Sequence, residues 1–137
     1  MSSYVQTNQA VLIPNAAYQV SAADTGKLML VGALTVGAKV ISLTAPAVGL
    51  HYRFMATNTL GQTATLTPNP AGNIMNGSLI VNTGVSATSF IPKTAAASAV
   101  LTATAVLGDY IDAYCDGTAW HVSGISQVAA GLSWKFN

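Results

Sequence analysis

Apolar side chains in this chain recur at every second position, in short runs separated by turn residues. Leu50 to Thr57 is the clearest run. His51, Arg53 and Met55 fall on one face, and Tyr52, Phe54 and Ala56 on the other. That is the period of a strand with one buried face. Tyr110 to Cys115 repeats the pattern, with Tyr110, Asp112 and Tyr114 sharing a face. Gln62 to Thr67 alternates Thr with Ala and Leu and stops at Pro68-Asn69-Pro70. Shorter strands are predicted at Ala10–Ile13, Tyr18–Val20, Lys27–Val31, Lys39–Thr44, Leu79–Val81, Thr88–Ile91, Ala99–Val106 and Ala119–Ser123.

Turn signals punctuate these runs: Pro14-Asn15, Ala23-Asp24-Thr25-Gly26, Ala45-Pro46, Gly108-Asp109 and Asp116-Gly117. Asn58 to Gly61 reads as a hairpin turn, and Asn76-Gly77 as a strong one. Asp116-Gly117 between two alternating runs is a hairpin signal. Thr94 to Ala99 allows one helical turn, and Gln127 to Gly131 a short helix or loop. No internal repeat at a solenoid period is visible. The pattern predicts an all-β fold of about nine to eleven short antiparallel strands, a sandwich or a barrel, spanning residues 1–137 as one domain. Residues 1–10 read as an extended N-terminal arm and residues 132–137 as a docking tail.

Composition sharpens the picture. The 137 residues carry five Lys or Arg and four Asp, with no Glu and a single Arg, Arg53. Charged residues make up 7%, against about 25% in a typical soluble domain. A folded monomer of this size exposes roughly 6,700 Å², or one charge per roughly 700 Å². Fifteen Thr and 12 Gly favour strands and turns over helices. A net charge of +1 gives no electrostatic footprint for nucleic acid. The chain has neither the low hydrophobicity nor the high charge of a disordered one. No apolar run approaches 18 residues, so no membrane helix is expected. Met1-Ser2-Ser3-Tyr4 lacks the basic start of a signal peptide. What is left is a neutral chain that hides surface against neighbours. The tail residues Trp134 and Phe136 are costly to expose, so they are expected to dock on their own sandwich or on a neighbour.

Candidate chemistry is sparse. Asp24, Asp109 and Asp116 sit in turn contexts that account for them. Asp109, Asp112 and Asp116 do not have calcium-loop spacing. His51 and His121 with one cysteine, Cys115, make too thin a set for zinc. Cys115 reads as a small buried hydrophobe. No nucleophile motif is present, and Gly72 and Gly77 lack the Lys of a phosphate loop. Asn76-Gly77-Ser78 matches a glycosylation sequon but reads better as a turn. Tyr52, Tyr110, Tyr114, Trp120 and Trp134 suit either a sugar-binding surface or the core, with Trp120 read as a core anchor. No catalytic, cofactor-binding or metal-binding residue, no cofactor and no small-molecule substrate is expected.

Several segments, taken in order, resemble a known family. Asp24-Thr25-Gly26-Lys27 leads into a strand. Val40-Ile41-Ser42-Leu43-Thr44-Ala45-Pro46 is followed by Gly49-Leu50-His51-Tyr52-Arg53-Phe54. Then come Ala64-Thr65-Leu66-Thr67-Pro68 and Gly72-Asn73-Ile74-Met75-Asn76-Gly77. Gly108-Asp109-Tyr110 precedes Asp116-Gly117-Thr118-Ala119-Trp120-His121-Val122. Across roughly Ala17 to Gly124 this order resembles the small β-sandwich proteins of tailed-phage virions, which include capsid decoration (cement) proteins and head modules of tail fibres. The resemblance implies a jelly-roll-like homotrimer on the capsid surface that clamps subunits of the major capsid protein, made in the host cytoplasm. It implies no nucleic acid or membrane partner and no enzymatic activity. Candidate interface residues are Tyr4, Val5 and Gln6 in the arm, which suits strand addition, and Trp134 and Phe136 in the tail. The alternatives are a receptor- or carbohydrate-binding module of a tail fibre or baseplate, which calls for a solvent-facing Trp120 or Trp134, and a small β-sandwich hydrolase, which calls for a cleft where Asp and His converge.

Overall fold

The computed structural model describes residues 10–84 and 87–136. Tyr4, Val5 and Gln6 lie outside the described residues, as does the arm up to Gln9; Ala10 already belongs to the first strand.

The chain begins by alternating between two sheets. β1 (Ala10–Ile13), β3 (Leu28–Val31) and β5 (His51–Ala56) enter a large sheet; β2 (Tyr18–Gln19), β4 (Lys39–Ser42) and β6 (Ala64–Thr67) enter a small one. Each strand returns to its own sheet beside its predecessor and running the same way. β1, β3 and β5 therefore pair in parallel, as do β2, β4 and β6. The remaining strands are β7 (Met75–Gly84), β8 (Ala87–Ala96), β9 (Ser98–Leu101), β10 (Tyr110–Cys115), β11 (Trp120–Ser126) and β12 (Leu132–Lys135). The large sheet runs β1-β3-β5-β10-β11-β7-β8 and the small one β12-β9-β6-β4-β2.

The all-β sandwich expected from the pattern is therefore present, with 12 strands among the described residues. Two expectations are corrected. The sheets are mixed rather than antiparallel, and the winding of the first six strands departs from a jelly roll of hairpins. Turn residues mark where a chain reverses, not which sheet it enters next. Asn58 to Gly61 thus forms an arch between sheets rather than a hairpin. Leu60 is buried in it, its N–H donating to the Ala105 carbonyl and its own carbonyl accepting from Leu34. The winding also lacks a fixed sequence period, since successive partners are Ala10, Leu28 and Arg53 in one sheet and Tyr18, Ile41 and Leu66 in the other.

Asn76-Gly77, expected to turn, lies inside β7. Thr94 to Ala99 forms no helical turn; it ends β8 and begins β9. Ala95, at φ 55°, bulges out of the β7–β8 ladder, and its N–H donates to Asn76 Oδ1 at 2.8 Å. Gln127 to Gly131 is a loop. The Asp116-Gly117 hairpin is as expected, joining β10 to β11.

The inner faces make the core. Trp120, Tyr52, Phe54, Met29, Leu66 and Ile111 are fully buried there, and Tyr52 packs 6.2 Å from both Phe54 and Trp120 between ring centroids. Cys115 is buried. The C-terminal tail docks on its own sandwich: β12 pairs with β9, Leu132 is buried, and Trp134 Nε1 donates to the Ile91 carbonyl at 3.0 Å. No helix among the described residues is long and apolar enough to cross a membrane.

The Tyr52 hydroxyl crosses the sandwich to donate to the Ser21 carbonyl at 3.0 Å. Burial pushes this phenol above its ordinary value of 10.0. A raised acid favours the fold while it stays protonated, and that contribution fades as pH climbs past 10. Tyr52→Phe should be about 1 kcal/mol less stable than wild type at pH 7, from the lost hydrogen bond. The gap should narrow above pH 10. Urea unfolding across pH 7 to about 11 checks this; a gap that stays constant with pH contradicts it.

Candidate functional site: the outer face of the large sheet

The same alternation that fills the core sends the other half of each strand outward. Strand register then sets these side chains in rows across the large sheet. One row runs His51–Tyr114–His121–Asn76. Two residues along, a second runs Leu28–Arg53–Asp112–Ser123–Ser78. A further two along, a third crosses all seven strands: Leu12–Leu30–Met55–Tyr110–Ile125–Ile80–Phe90. This third row is apolar or aromatic throughout. Its ends are open to solvent, Leu12 at 78% and Phe90 at 63% exposure, and Ile125 near its middle is exposed too.

Apart from Leu28, the other rows are polar, and their one Arg and one Asp neutralise each other. Arg53 makes two bonds to Asp112, Nε to Oδ1 at 2.7 Å and Nη2 to Oδ2 at 2.8 Å, and its guanidinium lies 4.3 Å from the Tyr110 ring centre. That pair is partly exposed and stabilises by at most about 1 kcal/mol. Asp112 thereby holds the guanidinium against Tyr110, a member of the third row. His51 stacks on Tyr114, ring centroids 5.2 Å apart and 11° from parallel. Tyr114 remains 54% exposed.

At the hairpin end, Asp116 Oδ1 accepts from the backbone N–H groups of Thr118 and Ala119 and from the Thr118 hydroxyl. Its Oδ2 lies 2.8 Å from His121 Nε2. The bond to His121, followed by those backbone donors, holds the Asp116 carboxyl well below the usual carboxylate range. The carboxylate is thus a turn clasp that also orients His121.

Two open cavities flank Tyr114. The larger, about 760 Å³, is lined among others by Asn76, Lys93, Thr94, His121 and Ser123. The smaller, about 350 Å³, is lined by Lys27, His51, Arg53 and Asp112. Lys27 is paired with Asp24 at 2.9 Å. Lys93 Nζ sits 4.2 Å over the Phe136 ring and has no carboxylate partner among the described residues.

The structure brings together residues that the sequence places on separate strands: His51 and Arg53 on β5, Tyr110, Asp112 and Tyr114 on β10, and His121 on β11. It separates the acids, since Asp109 is buried, Asp112 is paired with Arg53, and Asp116 holds the hairpin. No group of three or more metal-ligating side chains occurs among the described residues. Asp116 and His121 do converge, with His121 on the wall of the larger cavity, but no hydroxyl among the described residues is hydrogen-bonded to His121. Ser123, two positions along the strand, makes no bond to it, so the arrangement lacks an activated nucleophile. Neither tryptophan is a surface platform: Trp120 is fully buried and Trp134 is packed on the core with its N–H engaged. Tyr114 holds the exposed aromatic position instead. Phe136 is exposed beneath Lys93. The apolar third row escapes sequence reasoning because its members lie on seven strands whose order the chain does not display. No protein family, no curated protein and no solved structure matches the chain.

Proposed function

We propose that this chain is a non-enzymatic structural protein of a tailed-phage virion: a capsid decoration protein that binds as a homotrimer on the outer surface and clamps neighbouring major capsid protein subunits. The observation that carries this reading is the unbroken apolar row across the outer face of the large sheet, from Leu12 to Phe90. A row of this length, open to solvent at Leu12, Ile125 and Phe90 and half-buried between them, marks a surface that meets another protein. The nine charged residues of the chain support it, since few charges need desolvation when the surface is covered. Symmetric repetition of such a contact lets modest individual affinities add to a firm hold on the lattice.

Cosedimentation with capsids of the encoding phage tests the reading. Ile125 stands mid-row with its side chain outward, so Ile125→Asp should leave the fold intact. It should weaken capsid binding at least ~10-fold, the scale expected of a central contact residue. Wild-type protein that fails to bind capsids, or a variant that binds as tightly as wild type, would overturn it. Light scattering of the free protein reports the trimer; a persistent monomer would remove that part of the proposal.

A further inference from the structure

We infer that the trough beside Tyr114 is a binding site for an acidic saccharide. A sugar ring offers one face of C–H groups and a rim of hydroxyls, so it calls for an aromatic plate surrounded by hydrogen-bonding groups. Tyr114 is such a plate. Its ring is held by the parallel stack on His51, so it meets a ligand without first having to be ordered. Its exposure leaves it accessible, and it forms part of the wall of the 760 Å³ cavity. That volume lies in the range of small-molecule sites, about 300–1,000 Å³.

The rim has the matching chemistry. Ser123 and Thr94 contribute hydroxyls, and His121 an imidazole oriented through its Asp116 bond. Asn76 uses its carbonyl oxygen on the Ala95 N–H, which leaves its amide N–H groups free to donate to a sugar hydroxyl. Lys93 decides the charge of the ligand. Arg53 and Lys27 each have a carboxylate partner, whereas Lys93 has none among the described residues and is positioned over Phe136 at the cavity wall. A single unpaired ammonium beside an aromatic plate suits a sugar carrying one carboxylate or sulfate. A nucleotide would bring more phosphate charge than this one ammonium can balance.

The aromatic plate is set apart from the apolar row: Tyr114 and Tyr110 are four residues apart on β10, about 13 Å by strand rise, whereas Ser123 stands two residues from Ile125 on β11, about 7 Å.

Titration of 15N-labelled full-length protein with methyl galacturonoside, which carries one carboxylate, tests the inference, with methyl galactoside as the matched neutral sugar and AMP as the nucleotide probe. Methyl galacturonoside should give saturable shifts confined to the amides around Asn76, Tyr114, His121 and Ser123, with a Kd on the order of 1 mM. Methyl galactoside should bind the same residues roughly tenfold more weakly, the loss of one charge contact. Tyr114→Ser should abolish both responses. Lys93→Gln, an exposed change that leaves the core untouched, should bring methyl galacturonoside down to the level of methyl galactoside. Absence of saturable shifts with either sugar overturns the site, as does tighter binding of AMP at the same amides. A Lys93→Gln variant that still prefers methyl galacturonoside overturns the acidic specificity.

Discussion

Asp109→Ala is expected to lower the unfolding free energy by roughly 2–4 kcal/mol, enough to remove a large part of the stability of a domain this size. Asp109 is completely buried, yet no Lys or Arg pairs with it among the described residues. Its carboxylate is held by donors alone. Oδ2 accepts from the Val106 N–H at 3.0 Å and the Ser126 hydroxyl at 2.7 Å, and Oδ1 from the Gln127 N–H at 2.9 Å. Its backbone is bonded as well, accepting from the Ala56 N–H at 2.8 Å and donating to the Val106 carbonyl at 3.0 Å. One side chain thus ties the loop entering β10 to the end of β11, and its backbone ties the same loop to the end of β5. Alanine would leave the Val106 and Gln127 N–H groups without their acceptor, while the Ser126 hydroxyl keeps only its longer bond to the Val128 carbonyl at 3.1 Å. Asparagine keeps the shape and one acceptor oxygen, so Asp109→Asn should cost less than alanine but still more than 1 kcal/mol. Urea unfolding of both variants measures this; a loss below about 1 kcal/mol for alanine would show that the loops hold without the carboxylate.

Asp109 also shows where sequence reading stops. Gly108-Asp109 is legible as a turn, and the turn is there, with the Asp109 N–H bonded to Val106. Its burial is not legible, because the groups that enclose it come from Val106, Ser126 and Gln127, and only the folded arrangement of β10 and β11 brings them together. The face pattern behaves the same way. Alternation groups His51 with Arg53 on one face of β5 and Tyr110, Asp112 and Tyr114 on one face of β10, and the burial pattern makes those the outward faces. Alternation does not say that β5 lies beside β10. Only that adjacency turns these five residues into a bidentate ion pair, a guanidinium held over the Tyr110 ring and an aromatic stack. Local periodicity encodes which side of a strand faces the core. Strand order is a property of the whole chain, and here it depends on arches whose residues are the same ones that make hairpins.

Gly77→Ala is the second large effect, expected to cost roughly 3–5 kcal/mol and to leave Gly77→Val unable to fold. Gly77 has φ of +151°, a conformation that L side chains rarely adopt. A Cβ built there lies 1.7 Å from the Val122 carbonyl oxygen and 2.9 Å from the Val122 nitrogen. Those atoms are backbone of β11, paired with Gly77 in register, and cannot swing aside as a side-chain tip would. Relief requires pushing β7 away from β11, which opens the parallel ladder in the interior of the large sheet. Gly84, near the far end of the same strand, supplies the control. It has nothing within 4 Å of a built Cβ, so Gly84→Ala should be neutral or stabilise by a few tenths of a kcal/mol through the unfolded chain. Thermal unfolding of the two alanine variants separates close approach from glycine content, and equal melting temperatures would refute the argument. The functional face is at stake as well. β7 carries Asn76, Ser78 and Ile80 into the three outer rows, so a displaced β7 breaks the apolar row and the trough together even where the core survives.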